Sequence, residues 1–236
     1  MKNPEALAYL SGVILGDGYI KRRKRGRNET RTIIVLESRD YDFVENFAKL
    51  AASITRKKRR YAIMKRQRDG QFITEVSSRK FYQLYKSFMK ILPKASKKQK
   101  IEFLKGFFDA EGSPGIRVGK DGLTIKPCIG NSKLSLLKLV QKLLRELGIV
   151  SKIYSPPHSY YRDCIRRKKY YYLVIHDRKS LRRFAKLIGF TISRKREKFF
   201  EAYRLIERYG RKTAAMEWRK RYRKERNRWI KKKNLS

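Results

Sequence analysis

A short apolar segment that ends in an acid and a glycine occurs twice in this chain. The first copy runs from Leu10 to Gly18 and the second from Leu104 to Gly112, 94 residues further on. In each copy two small residues stand four positions apart, a spacing that places them on one face of a helix. These residues are Gly12 with Gly16, and Gly106 with Ala110. Such faces allow the two helices to pack with their backbones very close. The length of the repeat predicts two domain-sized halves.

Each predicted helix ends in a carboxylate, Asp17 in the first copy and Glu111 in the second. Gly18 and Gly112 follow them and are well suited to turn the chain out of a helix. Two acids at neighbouring helix C-termini repel each other and the partial negative charge there, so we expect a cation between them. Hard divalent ions such as Mg²⁺ prefer oxygen ligands, so this arrangement favours a metal-dependent nuclease. The alternative is two ordinary buried helices with acidic, glycine-stopped ends.

The two segments resemble the motifs of the LAGLIDADG homing endonucleases, in the single-chain form with two motif copies. The resemblance covers about residues 5 to 208. The second copy matches the motif closely, and the first departs from it at Ser11, Leu15 and Gly16. The positions that carry the resemblance are Leu104, Gly106, Asp109, Ala110, Glu111 and Gly112 in the second copy and Leu10, Gly12, Ile14, Asp17 and Gly18 in the first. The last acid of the motif is present in both.

The resemblance implies a monomeric, site-specific endonuclease that cuts both strands of a long duplex DNA site and leaves 3′ overhangs. Asp17 and Glu111, with the backbone at Gly16 and Ala110, would bind Mg²⁺ or Mn²⁺, whereas Ca²⁺ would bind without supporting cleavage. The enzyme would be freestanding or intron-encoded. Two alternatives stay open, a maturase that binds intron RNA and a DNA-binding protein that does not cleave. Acids in both motifs favour cleavage, since RNA binding does not need paired metal ligands.

Further catalytic residues are implied by the resemblance. In the family a polar side chain after the second strand of each half orients the attacking water. Asn131 matches this position in the second half, and Ser38, or its neighbour Glu37, in the first; Asn131 could instead belong to a helix N-terminus. Lys98 and Lys195 are symmetric candidates for stabilising charge at the scissile phosphates, although both could be surface charges.

The composition independently favours a nucleic-acid partner. The chain has 63 basic and 21 acidic residues among 236, a formal charge of +42. Such a charge calls for a polyanion, but a ribosomal or other RNA-binding protein or a membrane-surface binder would use the same electrostatics. A hydrophobic content of 41% is sufficient for a folded core and argues against a disordered basic tail. The two cysteines and two histidines lack zinc-ligand spacing.

Many of the basic residues fall on predicted strands. Two basic antiparallel sheets facing the same way would form a saddle on duplex DNA, where ribbons fit the major groove. For a single basic residue, a phosphate contact or a solvated side chain is the simpler interpretation. The candidates for the DNA-facing surface are Tyr19, Lys21, Arg23, Arg31, Arg66, Arg68, Gln71, Arg117, Lys126, Arg167 and Tyr171.

The same order of elements is predicted twice, which gives an α+β fold of two pseudo-symmetric αββαββα halves. Each half is an antiparallel four-stranded sheet backed by helices, with the two motif helices at the seam. The first half, 1–92, has predicted helices 5–17, 40–54 and 79–91 and strands 19–25, 31–38, 58–66 and 71–77. After a linker at 93–96, the second half, 97–192, has helices 98–111, 133–147 and 178–188 and strands 115–120, 123–130, 149–156 and 168–176.

Residues 193–236 are predicted to form a basic helical extension beyond the family core, with two tryptophans that favour packing over disorder. We expect this extension to add DNA-backbone contacts. No stretch approaches the roughly 18 apolar residues of a membrane span, and the N-terminus lacks a signal-peptide core. We therefore expect a soluble intracellular protein with no membrane partner, in the cytoplasm of a prokaryote or in an organelle.

Overall fold

The computed structural model describes residues 3–25, 29–155, 169–225 and 228–232. The predicted candidate Arg167 lies outside these residues. The first half contains three helices and four strands, in the predicted order. They are α1 (Pro4–Gly16), β1 (Gly18–Arg25), β2 (Glu29–Ser38), α2 (Tyr41–Thr55), β3 (Ile63–Lys65), β4 (Phe72–Ser77) and α3 (Arg79–Ile91). The strands form one antiparallel sheet in the order β1-β2-β4-β3.

The second half repeats this arrangement, with an additional hairpin. Its elements are α4 (Lys97–Glu111), β5 (Gly112–Ser113), β6 (Ile116–Gly119), β7 (Gly122–Ile125), β8 (Cys128–Asn131), α5 (Leu134–Glu146), β9 (Lys152–Tyr154), β10 (Tyr171–Val174) and α6 (Arg178–Leu187). The four-stranded sheet has the order β5-β8-β10-β9, and within the described residues β6 and β7 form a separate two-stranded sheet. The fold is therefore α+β with two four-stranded antiparallel sheets, as predicted.

Two predicted strands of the second half need correction. The predicted strand 115–120 became β6 of the separate hairpin, and the two-residue β5 takes its place in the sheet. The predicted strand 123–130 is divided into β7 and β8, because Pro127 interrupts it and has no backbone N–H for a ladder. Gly115, with a φ of +60°, turns the chain between β5 and β6.

The motif helices begin at local caps that the sequence supplies. The Asn3 side chain accepts a hydrogen bond from the Ala6 amide, at 3.0 Å, and caps α1. Ser96 and Gln99 form a capping box at the start of α4. Both helices are buried at the centre of one continuous hydrophobic core. They form the predicted seam between the two halves.

The extension beyond the second half begins with a long helix, α7 (Ser193–Arg221), kinked at Gly210, where φ is +70°. The predicted helical extension is correct as far as Arg221. A hairpin that the sequence did not predict then follows, β11 (Tyr222–Glu225) and β12 (Arg228–Lys231). Among the residues described, no helix is sufficiently long and apolar to cross a membrane.

Candidate active site

The backbones of α1 and α4 touch at the small residues of the two motifs. A Cβ atom placed on Gly12 would lie 2.1 Å from the carbonyl oxygen of Phe103, and one on Gly106 would lie 2.1 Å from that of Tyr9. Real Cβ atoms do not approach backbone atoms so closely, so any larger side chain would force the helices apart. The predicted close packing of the two faces is confirmed.

This packing brings the two motif acids to the same place. Asp17 is the C-cap of α1, and Glu111 is the last residue of α4. A Cβ atom on Gly16 would lie 2.5 Å from the Cβ of Ala110 and 3.0 Å from the Cγ of Glu111, so the two helix ends meet. The glycine spacing of the motifs therefore positions the carboxylate pair.

The two acids lie in a setting that disfavours their charged forms. Partial burial raises the pKa of Asp17, although its side chain still reaches solvent, and the negative charge of Asp40 adds to the increase. Burial also raises the pKa of Glu111, and the charge of Asp17 raises it further. The positive charge of Lys195 acts in the opposite direction on both acids. An additional cation would stabilise this pair.

Lys195 extends from the first turn of α7 to the end of α4. Its Nζ atom donates hydrogen bonds to the carbonyl oxygens of Asp109 and Ala110, the latter at 3.2 Å. Burial lowers the pKa of the lysine, while the charges of Asp109 and Asp17 partly offset this effect. Of the two predicted lysines, this one is brought to the carboxylates.

Lys98 is not brought to the carboxylates. It lies in the first turn of α4, 13 residues before Glu111, which corresponds to about 20 Å along the helix. Its side chain is exposed and forms an ion pair with Glu5 at 3.1 Å. The apparent symmetry with Lys195 fails because Lys98 stands in the N-terminal turn of α4, whereas Lys195 follows the second half and packs against the C-terminal end of α4.

The buried carboxylate of Asp109, which was not among the predicted functional residues, fixes the start of α7. Asp109 accepts hydrogen bonds from the Tyr9 hydroxyl at 2.9 Å, from the Thr191 amide at 2.8 Å and from the Thr191 hydroxyl. Burial raises its pKa, while the bonds from Thr191 and Tyr9 counteract that rise. Because Thr191 lies four residues before Lys195, this network helps to position the lysine. The signal for Asp109 in the sequence was its place among the motif positions that carry the family resemblance.

The start of α7 is also bound to the first half. The Ser193 amide donates to Oδ2 of Asp42 at 2.7 Å. The guanidinium of Arg194 donates two hydrogen bonds to Asp40, at 2.9 and 2.8 Å. These contacts hold the first turn of α7 across both halves, next to the carboxylate pair.

The two polar candidates differ in their surroundings. Nδ2 of Asn131 donates to Oε1 of Glu111 at 3.3 Å, and its Oδ1 accepts from the Lys133 amide. Ser38 lies at the end of β2 and accepts a hydrogen bond from the Asp40 amide at 3.2 Å. Its neighbour Glu37 binds Tyr19 and Arg66 instead. The structure thus places Asn131, but neither Ser38 nor Glu37, in direct contact with a motif acid.

The DNA-facing candidates of the first half lie mostly on one side of its sheet. Tyr19, Lys21 and Arg23 occupy every second position of β1, so their side chains lie on the same face of the sheet. Arg31 on β2 lies directly opposite Arg23. Lys21 binds Glu75 across the sheet at 3.1 Å. The remaining candidates, Arg66, Arg68 and Gln71, lie at the turn between β3 and β4, where Arg66 also binds Asp69 at 2.7 Å.

The candidates of the second half are spread over different elements. Tyr171 on β10 is paired with Asn131 on β8, so both side chains lie on the same face of the sheet. Arg117 belongs to the β6–β7 hairpin, and Lys126 to the loop that follows it; both are exposed. The three described candidates of the second half therefore do not share one sheet, whereas most of those in the first half do.

The donor set at the helix ends fits a hard divalent cation. It contains two carboxylates, Asp17 and Glu111, together with carbonyls of the last helical turns that lack intrahelical partners. In the described parts of the chain no cluster of three or more His, Cys, Asp or Glu side chains could bind a metal. A site with one or two carboxylates, completed by water and phosphate oxygens, is the arrangement that Mg²⁺ accepts.

Known proteins share this organisation. Residues 4–88 and 98–189 match the model of the LAGLIDADG-like domain. An uncharacterized protein of Methanocaldococcus jannaschii is 30% identical over 168 residues, which cover 68% of this chain and 62% of the relative. The homing endonuclease I-DmoI of Desulfurococcus mucosus is 27% identical over 158 residues, covering 65% of this chain and 76% of the relative. This chain therefore spans 62% of the length of the first relative and 76% of the second.

The fold agrees with the sequence match. The crystal structure of I-DmoI with DNA and Ca superposes with a TM-score of 0.65 and 21% identity, and the match covers 85% of this chain and 99% of that one. I-DmoI has also been determined with DNA and Mn. The family model matches twice, once in each half, around the motif helices that carry Asp17 and Glu111. This chain belongs to the LAGLIDADG family, in its single-chain form with two domain repeats.

Proposed function

We propose that this protein is a site-specific endonuclease that hydrolyses both strands of duplex DNA with the help of divalent metal ions. The observation that carries the proposal is the convergence of Asp17 and Glu111 at the touching C-termini of α1 and α4. Placing two like charges together is costly, and catalysis with a cation gives a physical reason for the arrangement. The relationship to I-DmoI supports the same reaction class.

The residues around the acid pair have different roles in the proposed reaction. Asn131 contacts Glu111 through its amide and can orient a water molecule beside that carboxylate. Lys195 holds an ammonium group at the end of α4, where it can offset negative charge that develops on a phosphate. Asp109 acts as a positioning residue for this lysine through Thr191. A bound Mg²⁺ or Mn²⁺ would activate water and stabilise the leaving oxygen.

Duplex DNA would lie on the basic face of the sheets. In the first half Lys21 and Arg66 are already paired with acids of the same face, so binding DNA would exchange Glu75 and Glu37 for phosphates or base edges. The formal charge of +42 supplies the long-range attraction. Both motifs lie in one chain, so a monomer would suffice. Cuts across the minor groove with 3′ overhangs, and an intron-encoded origin, are what the family resemblance implies.

The proposal is tested by cleavage of a randomised duplex library in Mg²⁺, with the native chain, Asp17→Asn and Glu111→Gln. We expect the native chain to cut a subset of sequences and each variant to lose at least about a thousandfold in rate, as for groups on which electrostatic catalysis depends. Asp121→Asn, in the exposed turn between β6 and β7, is the matched control and should cut normally.

Binding measured in Ca²⁺ separates loss of chemistry from loss of affinity. Both acid variants should retain duplex affinity, because their substitution removes negative charge from a surface that meets phosphates. If the native chain binds duplex DNA but cuts none of the library, and instead binds structured intron RNA selectively, the endonuclease proposal is wrong and the RNA-binding alternative replaces it.

A further inference from the structure

We propose that the C-terminal hairpin and the first turns of α7 form a phosphate-binding site for the DNA backbone beside the carboxylate pair. The hairpin lies beyond the residues that match the family model, which end at 189. This inference rests on the proposed function, because the ligand is the DNA substrate. It assigns to the extension a definite place on that substrate.

The site is a cavity of about 780 Å³ formed where four parts of the chain meet. They are the end of β2 with the following loop (38–40), the segment from β5 into β6 (113–116), the start of α7, and β12. Lys195 lines this cavity and also contacts the end of α4. Through Lys195 the cavity adjoins the end of α4 that carries Glu111, so a DNA strand lying over the acids would pass close to it.

The lining carries far more positive than negative charge. Among the described residues of the lining, the only acid is Asp40, and the cations are Arg39, Arg194, Lys195, Lys198, Arg228 and Lys231. Arg194 is engaged by Asp40, and Lys195 by carbonyl oxygens. The other four cations form no ion pair with a described residue, so four unpaired cations surround one space.

The pKa of Lys198 is consistent with an excess of positive charge in the cavity lining. Burial lowers its pKa and the positive charges of Arg194 and Arg228 lower it further, while the charges of Asp40 and Glu197 act in the opposite direction. A group in this setting is stabilised by an anion. A backbone phosphate supplies one negative charge and several acceptor oxygens, which lysine and arginine both bind.

The hairpin is held rigidly enough to present its cations to a ligand. Trp218 is fully buried and stacks on Tyr222 at 3.9 Å between ring centroids, and Trp229 meets Trp218 edge-on at 6.1 Å. The indole N–H of Trp229 donates to the Ile116 carbonyl at 3.3 Å. These contacts attach β12 to the second half, so that little conformational entropy is lost when a phosphate binds.

The test compares two triple variants of the full chain with equal loss of charge. Lys198→Ala, Arg228→Ala and Lys231→Ala together remove the three unpaired cavity cations that belong to the C-terminal extension, and leave Arg39 of the first half in place. Lys212→Ala, Arg219→Ala and Lys224→Ala remove three exposed cations of the same extension that do not line the cavity. A 30-base-pair duplex of arbitrary sequence in Ca²⁺ is the probe, and its affinity is measured between 50 and 200 mM salt.

Loss of three phosphate contacts should flatten the slope of log K against log salt by about 2 to 3 and weaken binding at least about tenfold. The control triple should change the slope by less than half as much.

Both tryptophans of the chain lie at the hairpin, so their fluorescence on adding duplex reports directly on this site. The native chain and the control should give a fluorescence change that the cavity triple lacks.

Equal effects of the two triples on the slope and on fluorescence would overturn the proposal, since they would indicate general attraction to a basic surface. Circular dichroism and the melting temperature show whether both variants are folded. A failure of the proposed nuclease activity can be distinguished from a failure of the phosphate site. If the native chain does not cleave any duplex but the two triples still differ in binding, the phosphate site stands without the endonuclease.

Discussion

At the scale of single residues, the main feature is a carboxylate pair that costs stability until a cation binds. For Glu111, burial and the charge of Asp17 raise the pKa in the folded protein above its ordinary value. An acid with a raised folded pKa destabilises the fold once pH rises above its unfolded pKa, because ionisation is then easier in the unfolded chain. The metal-free protein is therefore less stable at neutral pH than it would be with a neutral side chain.

We predict that Glu111→Gln raises the melting temperature of the metal-free protein. Glutamine retains an oxygen for the hydrogen bond from Asn131 but removes the repulsion from Asp17. In EDTA the increase should be about 1–3 °C at pH 7 and vanish below about pH 3, where the native glutamic acid is protonated in both the folded and the unfolded state. Differential scanning calorimetry across this range measures it.

The same melting temperatures are then measured in Mg²⁺ instead of EDTA. Mg²⁺ should stabilise the native chain and leave Glu111→Gln nearly unchanged, which reverses their order. Asp121→Asn, in an exposed turn, controls for the general effect of removing one negative charge from a basic protein. A melting temperature that falls on Glu111→Gln substitution in EDTA would mean that the carboxylate stabilises the fold without metal, against the electrostatic argument.

At the scale of elements, the fold depends on direct backbone contact between α1 and α4. We predict that Gly12→Ala destabilises the protein by about 1–3 kcal/mol or more, because the new methyl group would overlap the Phe103 carbonyl. Chemical denaturation followed by circular dichroism measures the free energy of unfolding. Gly119→Ala is the matched control, since a Cβ atom there meets no heavy atom within 4 Å.

The same substitution should affect catalysis, because separating the helices also separates Asp17 from Glu111. Even where the variant is folded, cleavage should fall by more than tenfold while duplex binding in Ca²⁺ persists. If Gly12→Ala were as stable and as active as Gly119→Ala, the close approach of the helices would not be what positions the acids.

The elements most accessible from sequence were those specified by short-range patterns. The motif helix predicted at 98–111 is observed as Lys97–Glu111, because its capping box and glycine stop are local. The hairpin of β11 and β12 was not predicted, because its two packed aromatic residues, Tyr222 and Trp229, stand among basic ones and pack against Trp218 of α7. The Asp109–Thr191 contact spans 82 residues, so no local pattern could predict it.

At the scale of the whole molecule, a formal charge of +42 acts on both folding and binding. Like charges on a compact surface repel each other and destabilise the folded state. Many of the ion pairs formed by the described residues have an exposed partner, such as Lys49 with Glu45 and Lys220 with Glu217, and such pairs are worth little. Self-repulsion should therefore outweigh these attractions in the free chain.

We predict that added salt has opposite effects on the free and the DNA-bound protein. Raising KCl from 50 to 300 mM should increase the melting temperature of the free chain, because screening weakens self-repulsion. Duplex DNA at about a hundred times its dissociation constant should add about 2.7 kcal/mol in low salt, or about 5–10 °C. That increment should shrink with salt as counterion release becomes less favourable.

Thermal melts at several salt concentrations, with and without a 30-base-pair duplex, measure both effects. Neutral osmolytes at matched osmolarity control for changes in solvent that do not involve charge. A melting temperature of the free chain that falls as KCl rises would show that its ion pairs stabilise it more than its excess charge destabilises it. The basic surface would then be a neutralised part of the fold rather than a surface held ready for a polyanion.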